Sequence, residues 1–305
     1  MRVWVNGANG LVGKSLIEVS KKFSKIDLIS TTRQDLDLFD LNKIEKFLKR
    51  NKPDYLINCA AKVGGIFANQ NQPFDYIYEN NIIQNNIITV VKKHNFKTVI
   101  NLGSSCVYPR IDNKKIREKD LLMKPLEKSN EYYAIAKING LKSFEALSKQ
   151  YGKNILNVMP TNVYGPYDHF NSKNSHVIPA IISKIYGAKI KNKEKTYLWG
   201  SGKPKREFIY SIDLAQILFK LLNKNIENNL LNIGSGQELT INQLSKKIAK
   251  IIRYDGEILF KNQVGDGPLR KRLNLNKFNK IMKFNHTEID KGLKNTINYY
   301  SENFL

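Results

Sequence analysis

Short apolar runs alternate with amphipathic segments along the first half of the chain. The apolar runs are rich in β-branched side chains, as buried strands are, and read "RVWVNG", "KIDLIST", "DYLINCAA", "KTVINLGSS" and "NILNVMP". Between them, the pattern predicts helices over residues 11–22, 41–52, 74–94 and 132–151. Strands that alternate with long helices form a parallel sheet with right-handed crossovers. The pattern therefore predicts a doubly wound, Rossmann-like α/β fold whose ligand lies beyond the carboxyl ends of the strands.

The alternation loosens after Pro160. Glycine and proline interrupt the second half at "YGPYD", "WGSGKP" and "NIGSG", which predicts shorter elements. We expect residues 1–165 to form the nucleotide-binding domain, together with a returning segment near residues 205–235. We expect residues 166–305 to form mainly a smaller C-terminal α/β lobe that binds the substrate.

Length and composition predict a soluble globular protein. The chain has 305 residues, of which 41% are hydrophobic and 25% charged, enough for a large domain with a smaller companion. No apolar run reaches the roughly 18 residues of a membrane helix, and the first strand begins directly at the N-terminus, so we expect no signal peptide. Cys59 and Cys106 are too few for a disulfide framework. We therefore expect a cytoplasmic protein that does not bind a membrane.

The formal net charge of +23 is spread along the chain. Nucleic-acid-binding proteins concentrate their basic residues in patches interleaved with aromatic residues, and no such block occurs here. We therefore expect no nucleic acid partner. A small substrate that carries phosphate groups is compatible with the charge.

The first motif with a chemical meaning is "NGANGLVG". Gly7, Gly10 and Gly13 follow the first strand and open the first helix. Glycines at this position let the backbone approach a pyrophosphate, which binds at the helix N-terminus. The motif therefore predicts a dinucleotide cofactor rather than an ordinary tight turn.

The end of the second strand indicates which dinucleotide binds. An acidic side chain there would hold the ribose 2'-hydroxyl of NAD, and a basic one would hold the 2'-phosphate of NADP. Asp27 lies at the opposite end of this strand, whereas Arg33 stands at its exit. We favour NADP(H) as the cofactor, with a solvated loop arginine as the alternative interpretation of Arg33.

The second motif is the pair Tyr133 and Lys137 in "YYAIAK". Their spacing places both side chains on one face of a helix, about one turn apart. An ammonium near a phenol lowers the phenol pKa from its usual value of about 10, which would make Tyr133 a proton donor and acceptor near neutral pH. Ser104 stands at the exit of the preceding strand.

These residues resemble the extended short-chain dehydrogenase/reductases that act on nucleotide sugars. Within that superfamily, the chain closely resembles the GDP-L-fucose synthase family along nearly its whole length. The motifs that carry this resemblance are "AAKVGGI" (60–66), "GSSCVYP" (103–109), "NEYYAIAKI" (130–138), "MPTNVYGP" (159–166), "NSHVIPA" (174–180), "WGSG" (199–202) and "REF" (206–208).

The resemblance implies a 3,5-epimerisation and a C4 reduction of GDP-4-keto-6-deoxy-D-mannose. The family's epimerase base and acid correspond to Cys106 and His176, respectively. A thiol and an imidazole with ordinary pKa values of about 8.5 and 6.5 can exchange protons with carbons that a ketone acidifies. We expect Lys137 to lie next to the Cys106 thiol and to favour its thiolate.

In the reduction that the resemblance implies, NADPH supplies hydride, Tyr133 protonates the carbonyl oxygen and Ser104 hydrogen-bonds that oxygen. Lys137 would hold the nicotinamide ribose. The further cofactor contacts that the resemblance implies are Leu11, Val12, Pro160, Val163 and His176. The substrate contacts that it implies are Ser105, Asn162, Val177, Lys184, Trp199, Arg206 and Lys271.

Three further expectations concern the assembly of the protein, metal ions and the second cysteine. Relatives are homodimers in which two helices of each subunit form a bundle, so we expect a homodimer. The chemistry needs no metal, and His94, His169 and His286 lack partners at metal-ligand spacing. Cys59, in "LINCAA", is expected to be a small buried side chain.

The chain also departs from the family pattern, which leaves alternatives open. Asn9 stands where many relatives carry a basic residue that faces the 2'-phosphate, so the NADP preference depends mainly on Arg33. One alternative function is a C4 reductase of another GDP-4-keto sugar, of the heptose or colitose type, with partial or no epimerase activity. Another is a non-catalytic NADP-binding sensor, which the presence of both Tyr133 and Lys137 argues against.

Overall fold

The computed structural model describes residues 1–111, 114–170, 175–224, 226, 230–261 and 268–305. Its strands are β1 (Arg2–Asn6), β2 (Asp27–Thr31), β3 (Tyr55–Asn58), β4 (Thr98–Leu102), β5 (Ile155–Pro160), β6 (Asn162–Tyr164), β7 (Lys195–Trp199), β8 (Lys205–Tyr210), β9 (Leu230–Ile233), β10 (Glu238–Thr240), β11 (Glu257–Lys261) and β12 (Arg270–Lys271).

The helices connect these strands. They are α1 (Leu11–Ser20), α2 (Leu41–Asn51), α3 (Ile66–Asn71), α4 (Pro73–Lys93), α5 (Glu131–Tyr151), α6 (Val177–Ile190), α7 (Ser211–Leu221), α8 (Ile241–Ile252), α9 (Asn276–Ile281) and α10 (Ile289–Phe304). Three short 3-10 turns lie at Ser105–Val107, Glu118–Asp120 and Lys128–Asn130.

A parallel sheet of six strands forms the centre of the molecule, in the order β2-β1-β3-β4-β5-β9. Successive side chains of a strand point to opposite faces, and each face here carries its own core. Trp4 packs on one face with Ile44 of α2 and Phe144 of α5, whereas Val3 and Val5 belong to the core on the other face. Helices therefore cover both faces of the sheet, which confirms the predicted doubly wound fold.

Smaller sheets lie after β5. Strand β8 pairs with β10, β12 and β6, and β11 pairs with β7. The helix bounds differ from the predicted ones by one or two residues in the first half of the chain. The short helix α3 and the pairing of the small sheets were not predicted, because short strands that pair over long sequence distances have only a weak local pattern.

A row of buried asparagines crosses the main sheet near its carboxyl edge. Asn58 donates to the Oδ1 of Asn101 at 2.8 Å, and Asn101 donates to the Oδ1 of Asn157 at 2.8 Å. The Oδ1 of Asn6 accepts the backbone N–H of Cys59 at 2.9 Å. A one-residue slip of any of these strands would separate the amides and leave buried polar groups without partners. The row therefore fixes the strand register beside the site described below.

Among the described residues, no helix combines the length and the apolar composition needed to cross a bilayer.

Candidate active site

A cavity of about 1230 Å³ lies at the carboxyl edge of the main sheet. The loops after β1 to β5 line one side, and α6, β7 and β8 line the other. This is the position at which a doubly wound fold binds its ligand. All the predicted site residues contribute to the cavity wall except Lys137, which lies behind it.

The glycine loop forms one end of the cavity. Gly7 has φ +66°, and a Cβ at Gly13 would come within 2.4 Å of the Gly7 carbonyl oxygen. Among the described residues, no side chain caps the N-terminus of α1, so its first backbone N–H groups can bind an external anion. Leu11, Val12 and Gly13, in this first turn, line the cavity. The loop therefore fits the pyrophosphate of a dinucleotide.

Arg33 lies at the exit of β2, on the same side of the cavity. Its exposed guanidinium stands 5.2 Å from the centre of the Phe39 ring, which helps to hold it in place. Asn9 lines the same part of the wall and adds an amide rather than a second positive charge. This end of the cavity can accommodate the 2'-phosphate of NADP, and the role of Arg33 as its cation stays a prediction.

Ser104, Cys106 and Tyr133 meet at the centre of the cavity wall. The backbone N–H of Cys106 donates to the Ser104 Oγ at 3.2 Å, which closes the short turn after β4. Cys106 packs against a small cluster that includes Tyr133 and Tyr76, whose rings contact edge to face at 6.2 Å. The thiol and the phenol therefore lie together.

The protonation of Tyr133 differs from the expectation. Burial and the nearby Cys106 raise the pKa of the phenol, and a hydrogen bond with Ser104 lowers it in part. The prediction that Tyr133 has a lowered pKa was wrong, because burial of the phenol outweighs the contribution that lowers it. Tyr133 is consequently a neutral phenol at neutral pH, which is the form of a proton donor.

Lys137 interacts with a backbone carbonyl group and with Cys59. Its Nζ donates to the Leu102 carbonyl oxygen at 3.1 Å. Burial lowers its pKa to about 8, and the charge partner that raises it is Cys59. The expectation that Lys137 is the neighbour of Cys106 was also wrong. The lysine that interacts electrostatically with Cys106 is Lys271, whose pKa is lowered by burial and raised by the thiol.

Cys59 is partly buried and contributes to the cavity wall. Burial raises the pKa of its thiol to about 12, with Lys137 acting in the opposite direction. A thiol with so high a pKa stays protonated at neutral pH. Cys106 and Cys59 thus differ in their surroundings, although both thiols are free.

His176 immediately precedes α6 and faces the cavity. Its exposed imidazole surface lies within the cavity, where reduced hydration lowers its pKa and the nearby His169 lowers it further. The Ser175 Oγ donates to the His169 carbonyl oxygen at 2.6 Å. A neutral imidazole can both accept and donate a proton.

The other end of the cavity is aromatic and basic. The Nζ of Lys184 lies 4.3 Å from the centre of the Trp199 ring, which is 48% exposed. Arg206 on β8 is paired in register with Lys271 on β12, so two positive charges lie side by side. Such a surface can stack against a nucleobase and bind a diphosphate. Ser105, Asn162 and Val177 line the wall between this end and the centre.

Glu207 and Tyr76 were not predicted. Glu207 lies within "REF", between a basic and an apolar residue. This pattern gives no indication that the Glu207 side chain is completely buried. Tyr76 lies on α4, far in sequence from Tyr133. No local pattern could have indicated that their rings meet.

Comparisons with known proteins agree with this geometry. Residues 3–234 match the model of the NAD dependent epimerase/dehydratase family. A GDP-L-fucose synthase of Sinorhizobium fredii is 44% identical over 89% of this chain and 86% of its own length. The structure of a GDP-L-fucose synthetase of Naegleria fowleri bound to NADP superposes with a TM-score of 0.91, at 29% identity over 99% of this chain and 93% of that one. A GDP-6-OMe-4-keto-L-xylo-heptose reductase of C. jejuni superposes with a TM-score of 0.90, at 26% identity over 99% of this chain and 97% of that one.

Proposed function

Because the chain belongs to the NAD dependent epimerase/dehydratase family, we propose that it converts GDP-4-keto-6-deoxy-D-mannose to GDP-L-fucose. The reaction is a 3,5-epimerisation followed by an NADPH-dependent reduction at C4. The observation that carries the proposal is that Cys106 and His176 line the same cavity as Ser104 and Tyr133. A reductase alone would need only the last two.

The epimerisation requires one group that removes a proton and one that returns a proton to the opposite face. The 4-ketone acidifies the hydrogens at C3 and C5, so a base can form an enolate at either carbon. We assign the base to Cys106, with Lys271 as the cation that interacts with it, and the acid to His176. Ser104 and Tyr133 hydrogen-bond the enolate oxygen, which stabilises its negative charge.

In the reduction, NADPH supplies hydride to C4 when it is bound. Tyr133 gives its proton to the carbonyl oxygen, and its raised pKa keeps the phenol in the donor form until then. Ser104 orients the same oxygen. The Lys137 ammonium donates to the Leu102 carbonyl oxygen. Its role at the nicotinamide ribose, which the family resemblance implies, stays a prediction.

We assign the cofactor to residues 1–165 with the returning segment near 205–235, and the GDP-sugar mainly to residues 166–305. The first group contributes the glycine loop and Arg33, and β9 adds a strand to the main sheet. The second contributes Lys184, Trp199 and Lys271 to the cavity wall.

Free thiols persist in a reducing compartment, so we also propose that the enzyme acts in the cytoplasm, which cell fractionation would test.

The experiment that tests the function uses the purified chain, NADPH and GDP-4-keto-6-deoxy-D-mannose in deuterated water. We expect GDP-L-fucose with deuterium at C3 and C5, identified by NMR, and one NADPH oxidised for each product. A product with deuterium at neither C3 nor C5 would exclude the epimerase activity. Unconsumed NADPH would exclude the reductase activity as well.

The alternative is a C4 reductase of another GDP-4-keto sugar. The similarity to the C. jejuni heptose reductase favours this alternative. That structure superposes over 99% of this chain with a TM-score of 0.90, compared with 0.91 for the Naegleria fowleri GDP-L-fucose synthetase. The alternative function predicts NADPH oxidation with little or no hydrogen exchange at C3 and C5. It also predicts faster turnover of a GDP-4-keto-heptose than of GDP-4-keto-6-deoxy-D-mannose. The same NMR experiment with both substrates distinguishes the two.

We further propose that the protein is a homodimer formed through α4 and α5. These two helices pack together, and their outer surface exposes Phe74, Tyr78, Tyr132 and Ile135 by 67%, 52%, 50% and 40%. Large exposed apolar clusters mark interaction surfaces. Light scattering should give a dimer for the native chain and a monomer for Tyr78→Glu. A native monomer at micromolar concentration would contradict the proposal.

A further inference from the structure

Glu207 is a completely buried carboxylate in the middle of a small sheet. Its strand β8 is flanked by β10 and β12, and also pairs with β6. The Oε1 of Glu207 accepts the backbone N–H of Gly236 at 2.7 Å, and its Oε2 accepts the backbone N–H of Leu273 at 3.4 Å. One side chain therefore joins the turn after β9 to the segment after β12.

The surroundings of this carboxylate leave it little freedom. A Cβ at Gly234 would come within 2.2 Å of the Glu207 Oε1. Burial raises the pKa of Glu207, while the two backbone hydrogen bonds and the positive charge of Arg272 lower it. Buried carboxylates are costly unless they accept hydrogen bonds, so these contacts account for its presence in the core.

Glu207 is also adjacent to residues that we assign to the substrate. Arg206 precedes it on β8, and Lys271 pairs with Arg206 two residues before Leu273. The Asn162 side chain donates to the Glu207 carbonyl oxygen at 2.8 Å. Displacing the segment after β12 would therefore move Lys271 relative to Arg206 and to the cavity.

We propose that Glu207 is a positioning residue that holds Lys271 at the cavity wall, where Lys271 binds the diphosphate and interacts with the Cys106 thiol. The inference rests on the proposed function for the identity of the diphosphate ligand. Glu207 itself does not line the cavity and touches no reacting atom. Its effect on the site passes through Leu273 and the backbone of β12.

The first test measures binding of GDP and of NADPH to a Glu207→Gln variant by calorimetry. Glutamine keeps the shape, but its amide group must face one of the two backbone N–H donors, which breaks a hydrogen bond. We expect GDP to bind about tenfold more weakly, corresponding to the loss of one such contact. NADPH affinity should change by less than about twofold, because its site lies on other strands. Equal losses for both ligands would indicate a general structural role and overturn the proposal.

The matched control is Glu238→Gln. Glu238 is opposite Glu207 in the sheet, and its carboxylate contacts Arg270 of β12 in a partly exposed ion pair. Exposed pairs contribute little, so GDP affinity should stay within about twofold of the native value. If Glu238→Gln weakens GDP binding as much as Glu207→Gln does, the surface ion pair rather than Glu207 positions β12.

The second test measures alkylation of Cys106 by iodoacetamide at neutral pH, with the site of modification identified by mass spectrometry. A positive charge near the thiol favours the thiolate and speeds alkylation. Loss of Lys271 positioning has the opposite effect. We expect Glu207→Gln to slow alkylation about threefold or more, and Lys271→Met to slow it further. Faster alkylation in Glu207→Gln would overturn the proposal.

The double variant tests whether Glu207 acts through Lys271. In the Lys271→Met background, Glu207→Gln should change the alkylation rate by less than about 1.5-fold, because the group that it positions is already absent. Additive effects would show an independent action and contradict the inference. Neither GDP binding nor alkylation requires turnover. A failure of the proposed reaction would therefore leave these results interpretable.

Discussion

A Tyr133→Phe variant is expected to lose NADPH oxidation by a factor of about a thousand while still exchanging the hydrogens at C3 and C5 with solvent. Removal of a general acid costs typically 10²- to 10⁴-fold in the step that it serves. The reduction needs a proton at the carbonyl oxygen, and burial keeps the Tyr133 phenol protonated for this purpose. The epimerisation needs only stabilisation of the enolate oxygen, which Ser104 can still provide.

The two activities of this variant are measured separately. Absorbance reports NADPH oxidation, and NMR in deuterated water reports exchange at C3 and C5 without any need for reduction. Tyr151→Phe is the matched control, because it removes a phenol hydroxyl from the exposed end of the same helix and should react like the native enzyme. If Tyr133→Phe oxidises NADPH within about tenfold of the native rate, another group is the proton donor.

The sequence indicated those parts of the site that depend on local geometry. The glycine loop lies within one strand-turn-helix unit, and its spacing places Gly7 and Gly13 in contact in the structure. Arg33 follows β2 directly, so the end of that strand defines its position. In both cases, the residues that act together are close in sequence and belong to elements with a strong periodic pattern.

The electrostatic partners of the two cysteines could not be predicted in this way. The spacing of Tyr133 and Lys137 correctly gives one helix face, but the long lysine side chain extends to the Leu102 carbonyl instead of the phenol. Lys271 interacts with Cys106 across 165 positions of sequence, through a two-residue strand without a detectable pattern. Family resemblance placed Lys271 near the substrate, and only the folded structure brings it to the thiol.

The fold was predictable for a similar reason. The alternation of apolar runs and amphipathic segments specifies β1 to β5 and their helices, because each element has enough residues to define a period. The addition of β9 to the main sheet depends on pairing with β5, which lies about 70 residues earlier in sequence. The asparagine row across the sheet is likewise a property of the register, and becomes visible only when the strands are aligned.

A Cys106→Ser variant is expected to show the opposite division of activities. A hydroxyl is a much weaker base than a thiolate, so exchange at C3 and C5 should fall by about a hundredfold or more. Tyr133 and Ser104 remain in place, so NADPH oxidation should continue on the ketone that has not been epimerised. The product should then be a C4-reduced sugar that retains the substrate configuration at C3 and C5, which NMR coupling constants identify.

Cys59→Ala is the matched control for this experiment. It removes the second thiol, whose burial raises its pKa to about 12 and makes it a poor base at neutral pH, so exchange should stay near the native rate. If Cys106→Ser and Tyr133→Phe lose exchange and NADPH oxidation in equal proportion, the two residues do not have separate roles. If only Cys106→Ser loses exchange, the thiol accounts for the epimerisation, and its interaction with Lys271 becomes the feature that adds this step to a reductase site.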